Sequence, residues 1–168
     1  MEEYINKIMN KIKGPPVVYN APAEKPAIVP DFFSKENYIK NIRPDVREGI
    51  NALALRESTN GKYRINKDDQ GPGVHSYGIL QMGQPAVDEF YRERKKYGYS
   101  GEPMKASNLV GAESDDKQRY MQGIRIQNYM DRKKVDITEA IRKIQNPNDP
   151  NYGTSTLNVA RGIDKTYK

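Results

Sequence analysis

Five prolines fall within the run GPPVVYNAPAEKPAIVP, from Gly14 to Pro30. Each lacks a backbone donor and holds φ at about −65°, so this segment suits neither a helix interior nor a central strand. Its expected form is an extended arm. Ahead of it, Ile5, Ile8, Met9 and Ile12 recur at helical spacing with Lys7, Asn10 and Lys11 between them. That pattern is amphipathic, but the segment is too short to be a stable helix alone in water. Residues 1–30 are thus read as an amphipathic segment followed by a Pro-rich arm, and a packed core has to come from residues 31–168.

The chain of 168 residues is 36% hydrophobic and 30% charged, enough for one modest core under a polar surface. Its net charge of +6 points to an acidic partner, whether nucleic acid, anionic lipid or a bacterial wall bearing carboxylates and phosphates. With no Cys and His75 as the single His, a disulfide framework, a thiolate or His-rich metal site and a Cys nucleophile are excluded. No metal and no cofactor is expected, and carboxylate chemistry stays open. No stretch approaches the ~20 apolar residues of a membrane span, and the N-terminus lacks the apolar core of a signal peptide.

Within 31–168, Pro44 is placed to open a helix on which Val46, Ile50, Leu53, Ala54 and Glu57 share one side. Asn60-Gly61 signals a turn, and Lys62 to Ser76, with Gly71, Pro72 and Gly73, reads as a loop or irregular hairpin. Helical spacing predicts further helices over 84–97, 114–132, 137–145 and 154–167. The fold class expected is mainly α, with at most one small β-hairpin.

Glycosidic bond cleavage needs a proton donor, and a carboxylic acid serves best in a partly desolvated, apolar setting. Glu57 follows ALALR at the end of an apolar-faced helix. Alone, that position is weak evidence, since a Glu at a helix end is usually a solvated surface residue. A second motif, Ser76-Tyr77-Gly78-Ile79-Leu80-Gln81-Met82, follows it. Glu57-Ser58 and this motif, in that order, resemble the lytic transglycosylase and goose-type lysozyme superfamily. There a Glu-Ser pair ending a core helix precedes Ser-x-Gly-Leu-Met-Gln-(Ile/Met/Val). The family's later Ala-Tyr-Asn-x-Gly element has a looser counterpart between Ile144 and Tyr152, where Gln145 replaces the aromatic and Pro147 and Asn148 replace small residues. The resemblance spans about residues 44–160.

The resemblance implies a lysozyme-like catalytic domain that cleaves peptidoglycan between N-acetylmuramic acid and N-acetylglucosamine. It implies Glu57 as acid/base and Ser76 as a hydroxyl orienting it, with Ser58, Ser76, Tyr77, Gly78, Gln81, Met82, Asn146 and Tyr152 at the substrate. The residue types suit those roles. Glycine permits close backbone approach to a sugar, glutamine offers donors and an acceptor, and methionine is an adaptable apolar contact.

Hydrolysis commonly needs a second carboxylate, whereas a lytic transglycosylase closes a 1,6-anhydro ring with the substrate's own C6 hydroxyl. Asp68 and Asp69 are the candidates for a second acid, although an Asp-rich turn is the simpler reading of both. The expectation is therefore transglycosylation, with a hydrolytic muramidase using Asp68 or Asp69 as the alternative. From another class, a basic structural or nucleic-acid-binding virion protein with an inert scaffold would use Arg92, Arg94, Lys95 and Lys96. Nucleic acid is the less favoured partner.

The chain also resembles small phage wall-degrading enzymes. This implies a place in the virion or delivery to the periplasm and wall, with residues 1–30 attaching to virion or tail proteins. Deleting residues 1–30 is then expected to abolish incorporation into particles while sparing activity in solution; a truncated chain that still co-purifies with particles would overturn the anchoring role.

Overall fold

The structure, a computed structural model, describes residues 31–67 and 74–160. The expected amphipathic segment, the Pro-rich arm, Asp68, Asp69 and the end of the helix expected over 154–167 lie outside the described residues. The described part is mainly helical, with six α-helices and one two-stranded antiparallel sheet.

Helix α1 (Lys35–Asn41) was not anticipated from the sequence because it buries none of its residues and so shows no apolar stripe. Ser34 starts it, its hydroxyl accepting from the Asn37 backbone N–H at 3.3 Å. Helix α2 (Pro44–Ser58) begins at the predicted proline, whose missing N–H costs nothing in a first turn. Asp45 in that turn pairs with Arg43 at 3.0 Å, and the guanidinium holds the Asp45 carboxyl below its usual range. Val46, Ile50, Leu53 and Ala54 are buried as expected. Ala52 and Gly49 are buried too, so α2 packs on more than one side, against α4, α5 and α6 defined below.

Thr59, Asn60 and Gly61 end α2 with three successive positive φ values of 51°, 56° and 91°. This left-handed run turns the chain sharply back. Strand β1 (Ile65–Asn66) then pairs with β2 (Ser76–Tyr77) in the register Ile65↔Tyr77 and Asn66↔Ser76. Tyr77 also exchanges both backbone hydrogen bonds with Met82, at 3.1 and 2.8 Å, which closes a tight turn through Gly78 and Gln81.

The helix expected over 84–97 divides into α3 (Gln84–Glu93) and a 3-10 turn, Arg94–Tyr97, that stops at Gly98 with φ 80°. Two further 3-10 turns, Ala106–Leu109 and Ala112–Ser114, lead into α4 (Asp115–Lys133). Asp136 caps α5 (Ile137–Gln145) by accepting from Glu139 N–H at 2.9 Å. Helix α6 (Tyr152–Ala160) starts two residues before its expected position. Ile42, Phe90, Leu109, Met121, Ile126 and Ile141 fill the core beside the α2 residues. Phe32, Phe33, Tyr99 and Tyr120 form an aromatic cluster at its edge, with ring centroids 4.8 to 5.8 Å apart.

Gln118 on α4 is fully buried and ties this core to the 77–82 turn. Its carbonyl oxygen accepts from Leu80 N–H at 3.1 Å, and its amide donates to Leu109 O at 2.9 Å. A Cβ on Gly78, at φ 79°, would lie 1.9 Å from the Gln118 amide nitrogen. Gly78→Ala is expected to cost about 2–5 kcal/mol, the sum of left-handed strain and a displaced buried hydrogen-bonding group. Gly98→Ala has the same φ problem but open space around it, so about 1–2 kcal/mol is expected. Chemical unfolding of the two variants side by side checks this, and equal losses would count against the Gln118 contact.

Candidate active site

Glu57 sits in the last turn of α2, half-buried, with the polypeptide about to reverse at Thr59. It lines a cleft of about 370 Å³. The other walls are helix ends. Gly83, the N-cap of α3, and Pro85 and Ala86 from its first turn form one side. Ile144, Gln145 and Asn146, where α5 stops, and Tyr152, where α6 starts, form another. Arg125, from the middle of α4, completes it. Helix α5 ends at Asn146 because Pro147 follows, and the residue before a proline is pushed out of the helical region; Asn146 has φ −145° and ψ 81°.

Three of the sequence-predicted residues, Glu57, Asn146 and Tyr152, therefore share one cleft. Tyr152 is 6% exposed and lies beneath the Arg56 guanidinium, whose centre is 4.0 Å from the ring centroid. Arg56 also donates to Tyr152 O at 3.2 Å, to Thr156 Oγ1 at 3.0 Å and to Ser155 Oγ. The neighbour of the candidate acid thus clamps the start of α6 onto the end of α2.

The second motif is placed differently from a cleft wall. Ser58 is 1% exposed, and its hydroxyl donates to Ile79 O at 2.7 Å while accepting from Gly61 N–H at 2.7 Å. The expectation of substrate contact at Ser58 is corrected to a backbone latch. Gly78 faces Gln118 rather than open space, so its missing side chain serves packing and not approach to a sugar. Met82 is 2% exposed and belongs to the core, which also corrects its expected place at the substrate. Ser76 is fully buried in β2, which corrects its expected place at the substrate. Gln81, at φ 47°, donates its side-chain amide to Tyr63 O at 2.8 Å and Gly78 O at 2.9 Å, so those donors hold the turn. Tyr77 is half-buried beside His75, with ring centroids 6.2 Å apart.

The sequence reading missed Arg56, Gly83, Pro85, Ala86, Arg125, Ile144 and Gln145. Gly83 adjoins the second motif, and Ile144 and Gln145 lie within the looser third element, which was the available signal; Arg125 sits in an ordinary helical stretch that carries none. Of the expected basic run, Arg92, Lys95 and Lys96 are exposed, while Arg94 bonds Tyr91 O at 2.7 Å. Among the described residues, no group of three or more His, Cys, Asp and Glu is arranged to hold a metal ion, and no helix is long and apolar enough to cross a membrane. No protein-family model, curated protein or solved structure matches the chain.

Arg56→Ala removes a stacked cation and its hydrogen bonds from a part-buried site, so a loss of about 2 kcal/mol in unfolding free energy is expected. Urea unfolding followed by circular dichroism checks it. A change within about 0.5 kcal/mol, the range of ordinary surface substitutions, would show that the clamp carries no weight.

Proposed function

We propose that the chain cleaves the glycan strands of peptidoglycan between N-acetylmuramic acid and N-acetylglucosamine, on a lysozyme-like helical domain with Glu57 as the acid/base. The observation that supports this reading is the convergence of Glu57, Asn146 and Tyr152, from motifs far apart in the chain, on one cleft. The cleft begins at Gly83, directly after the second motif.

In the proposed reaction, protonated Glu57 gives its proton to the glycosidic oxygen as the bond from C1 of the muramyl residue breaks. The C6 hydroxyl of the same sugar adds to C1, forming a 1,6-anhydro ring. Its proton passes to the Glu57 carboxylate, which restores the acid. No water is consumed. Among the described residues lining the cleft Glu57 is the sole carboxylate, which favours this route over one that needs two acids. Hydrolysis through Asp68 or Asp69 is the alternative. In keeping with the Pro-rich arm, the enzyme is proposed to travel with a phage virion and open the wall during entry.

Glu57→Gln is expected to lower release of muropeptides from purified peptidoglycan about 100- to 10,000-fold, the range for loss of a general acid, with the unfolding curve unchanged. Mass spectrometry of the wild-type products should show anhydro ends, one water lighter than reducing ends. Reducing ends alone would assign hydrolysis. Undiminished cleavage by Glu57→Gln would remove that residue from the chemistry.

A further inference from the structure

The back of α2 borders a second cavity, of about 370 Å³, lined by Asn51, Leu55, Asn60 and, from α4, Arg119. Asn51 and Leu55 lie one turn apart on one face of the helix. Leu55 precedes Glu57 by two residues, which turns it about 200° round the helix axis, so this cavity faces away from the cleft. Its cation differs from most arginines of the chain. Arg43, Arg64 and Arg142 reach carboxylates at 3.0, 2.6 and 2.6 Å, and Arg125 reaches Glu89 of α3 at 2.8 Å. Arg119 is half-buried and pairs with no carboxylate among the described residues; it donates instead to Asn51 Oδ1 at 2.6 Å. One turn before Asn51 stands Arg47, also half-buried, which donates to Ile39 O at 3.4 Å and likewise pairs with no carboxylate among the described residues.

Both guanidiniums act on one group, the buried Tyr38 hydroxyl: burial pushes its pKa up to about 12, and the two positive charges oppose that rise. Asp116, exposed on α4, has the weakest effect on the same hydroxyl, so positive charge prevails there. A half-buried cation without a counter-charge carries a desolvation cost that a bound anion offsets. Hydrogen bonds from a guanidinium to a charged oxygen are roughly twice as strong as those to a neutral one, so a sugar hydroxyl can occupy the fork but an acidic group fits it better. The other walls suit a sugar. Asn51 and Asn60 carry amide donors and acceptors for hydroxyls, and Leu55 offers an apolar surface to the C–H face of a ring. Asn60 is fixed in place by its left-handed backbone, φ 56°, a conformation that asparagine tolerates better than most residues.

We infer that this cavity is a second binding site, for an acidic glycan whose sugars or polyols carry carboxylate or phosphate groups, with Arg119 and Arg47 taking the acidic group and Asn51 and Asn60 the hydroxyls. It holds the polymer on the face of α2 turned away from Glu57 and takes no part in bond cleavage.

NMR titration of the full chain with three probes tests it: a glycerol phosphate oligomer, an oligosaccharide of alternating glucuronate and N-acetylglucosamine, and a neutral N-acetylglucosamine oligomer. At least one acidic probe should shift the backbone amides of Asn51, Leu55 and Asn60, and the tighter of the two names the acidic group taken. Arg119→Gln should raise the Kd of that probe about tenfold, as expected for losing a hydrogen bond to a charged group, and Arg47→Gln should raise it as well. Lys95→Gln removes the same charge from the exposed basic run and should leave the Kd within about twofold, since salt screens distant surface charges. An equal rise in Lys95→Gln would assign the binding to net charge and overturn the inference. So would acidic probes that shift none of the three amides, or a neutral oligomer held at this cavity as tightly as the acidic ones. If Arg119→Gln fails to fold, Arg47→Gln decides, and an unchanged Kd there overturns the inference. Glu57→Gln should bind the acidic probe as the wild type does, so failure of the cleavage reading leaves this result standing; loss of binding in Glu57→Gln would place the probe in the cleft and overturn the inference.

Discussion

The buried Ser58 hydroxyl donates to the Ile79 carbonyl at 2.7 Å and receives the part-buried Gly61 N–H at the same distance. One small side chain thereby fixes the end of α2, the left-handed reversal after it and the turn through residues 77–82. Glu57 precedes it by one residue and inherits that position. A buried hydroxyl deprived of these partners would carry a desolvation cost with no compensation. The Glu-Ser pair and the Ser-x-Gly segment are thus joined physically, and not only by their order in the chain. Gln118 supports the other side of the same turn through Leu80 and Gly78.

Around this joint the molecule separates two tasks. The middles of α2, α4 and α5 supply the apolar core, and the ends of α2, α3, α5 and α6 supply most of the cleft. The residues that stop or start helices are those that shape the walls: Gly83 and Pro85 at α3, Asn146 before Pro147 at α5, Tyr152 at α6. Helix ends carry backbone groups that the helix itself leaves unsatisfied, so polar surface gathers there without any special provision. Arg56 bridges two such ends through the Tyr152 ring and the α6 hydroxyls.

Helices with an apolar stripe and a terminator were legible in the sequence. Pro44 opened α2, the spacing of Met121 and Ile124 marked α4, and Ala140 with Ile141 marked α5. Helix α1 was not, since it rests on a Ser34 cap and buries no side chain. The start of α6 moved to Tyr152 because Asp149 and its neighbours form a turn, with Tyr152 N–H reaching Asp149 O at 3.2 Å. For the candidate site, residue types were legible but several purposes were not. Gly78 suggested room for a ligand, yet its space is taken by an amide 40 residues later in the chain. Met82 suggested an adaptable contact, and it lies in the core. Arg125 and Arg56 matter through partners on other helices, and no spacing within one segment encodes that.

A cleft walled by helix termini has a further consequence for how such a molecule can change over generations. The segment from Asn146 to Tyr152 connects α5 to α6 and contributes a residue to the wall from each end. Lengthening or shortening it would shift one bank of the cleft while the packing of α2 on α4 stayed as it is. The shape of the rim is thus set by a surface connection that can vary in length, while the core beneath it is set by buried packing that cannot.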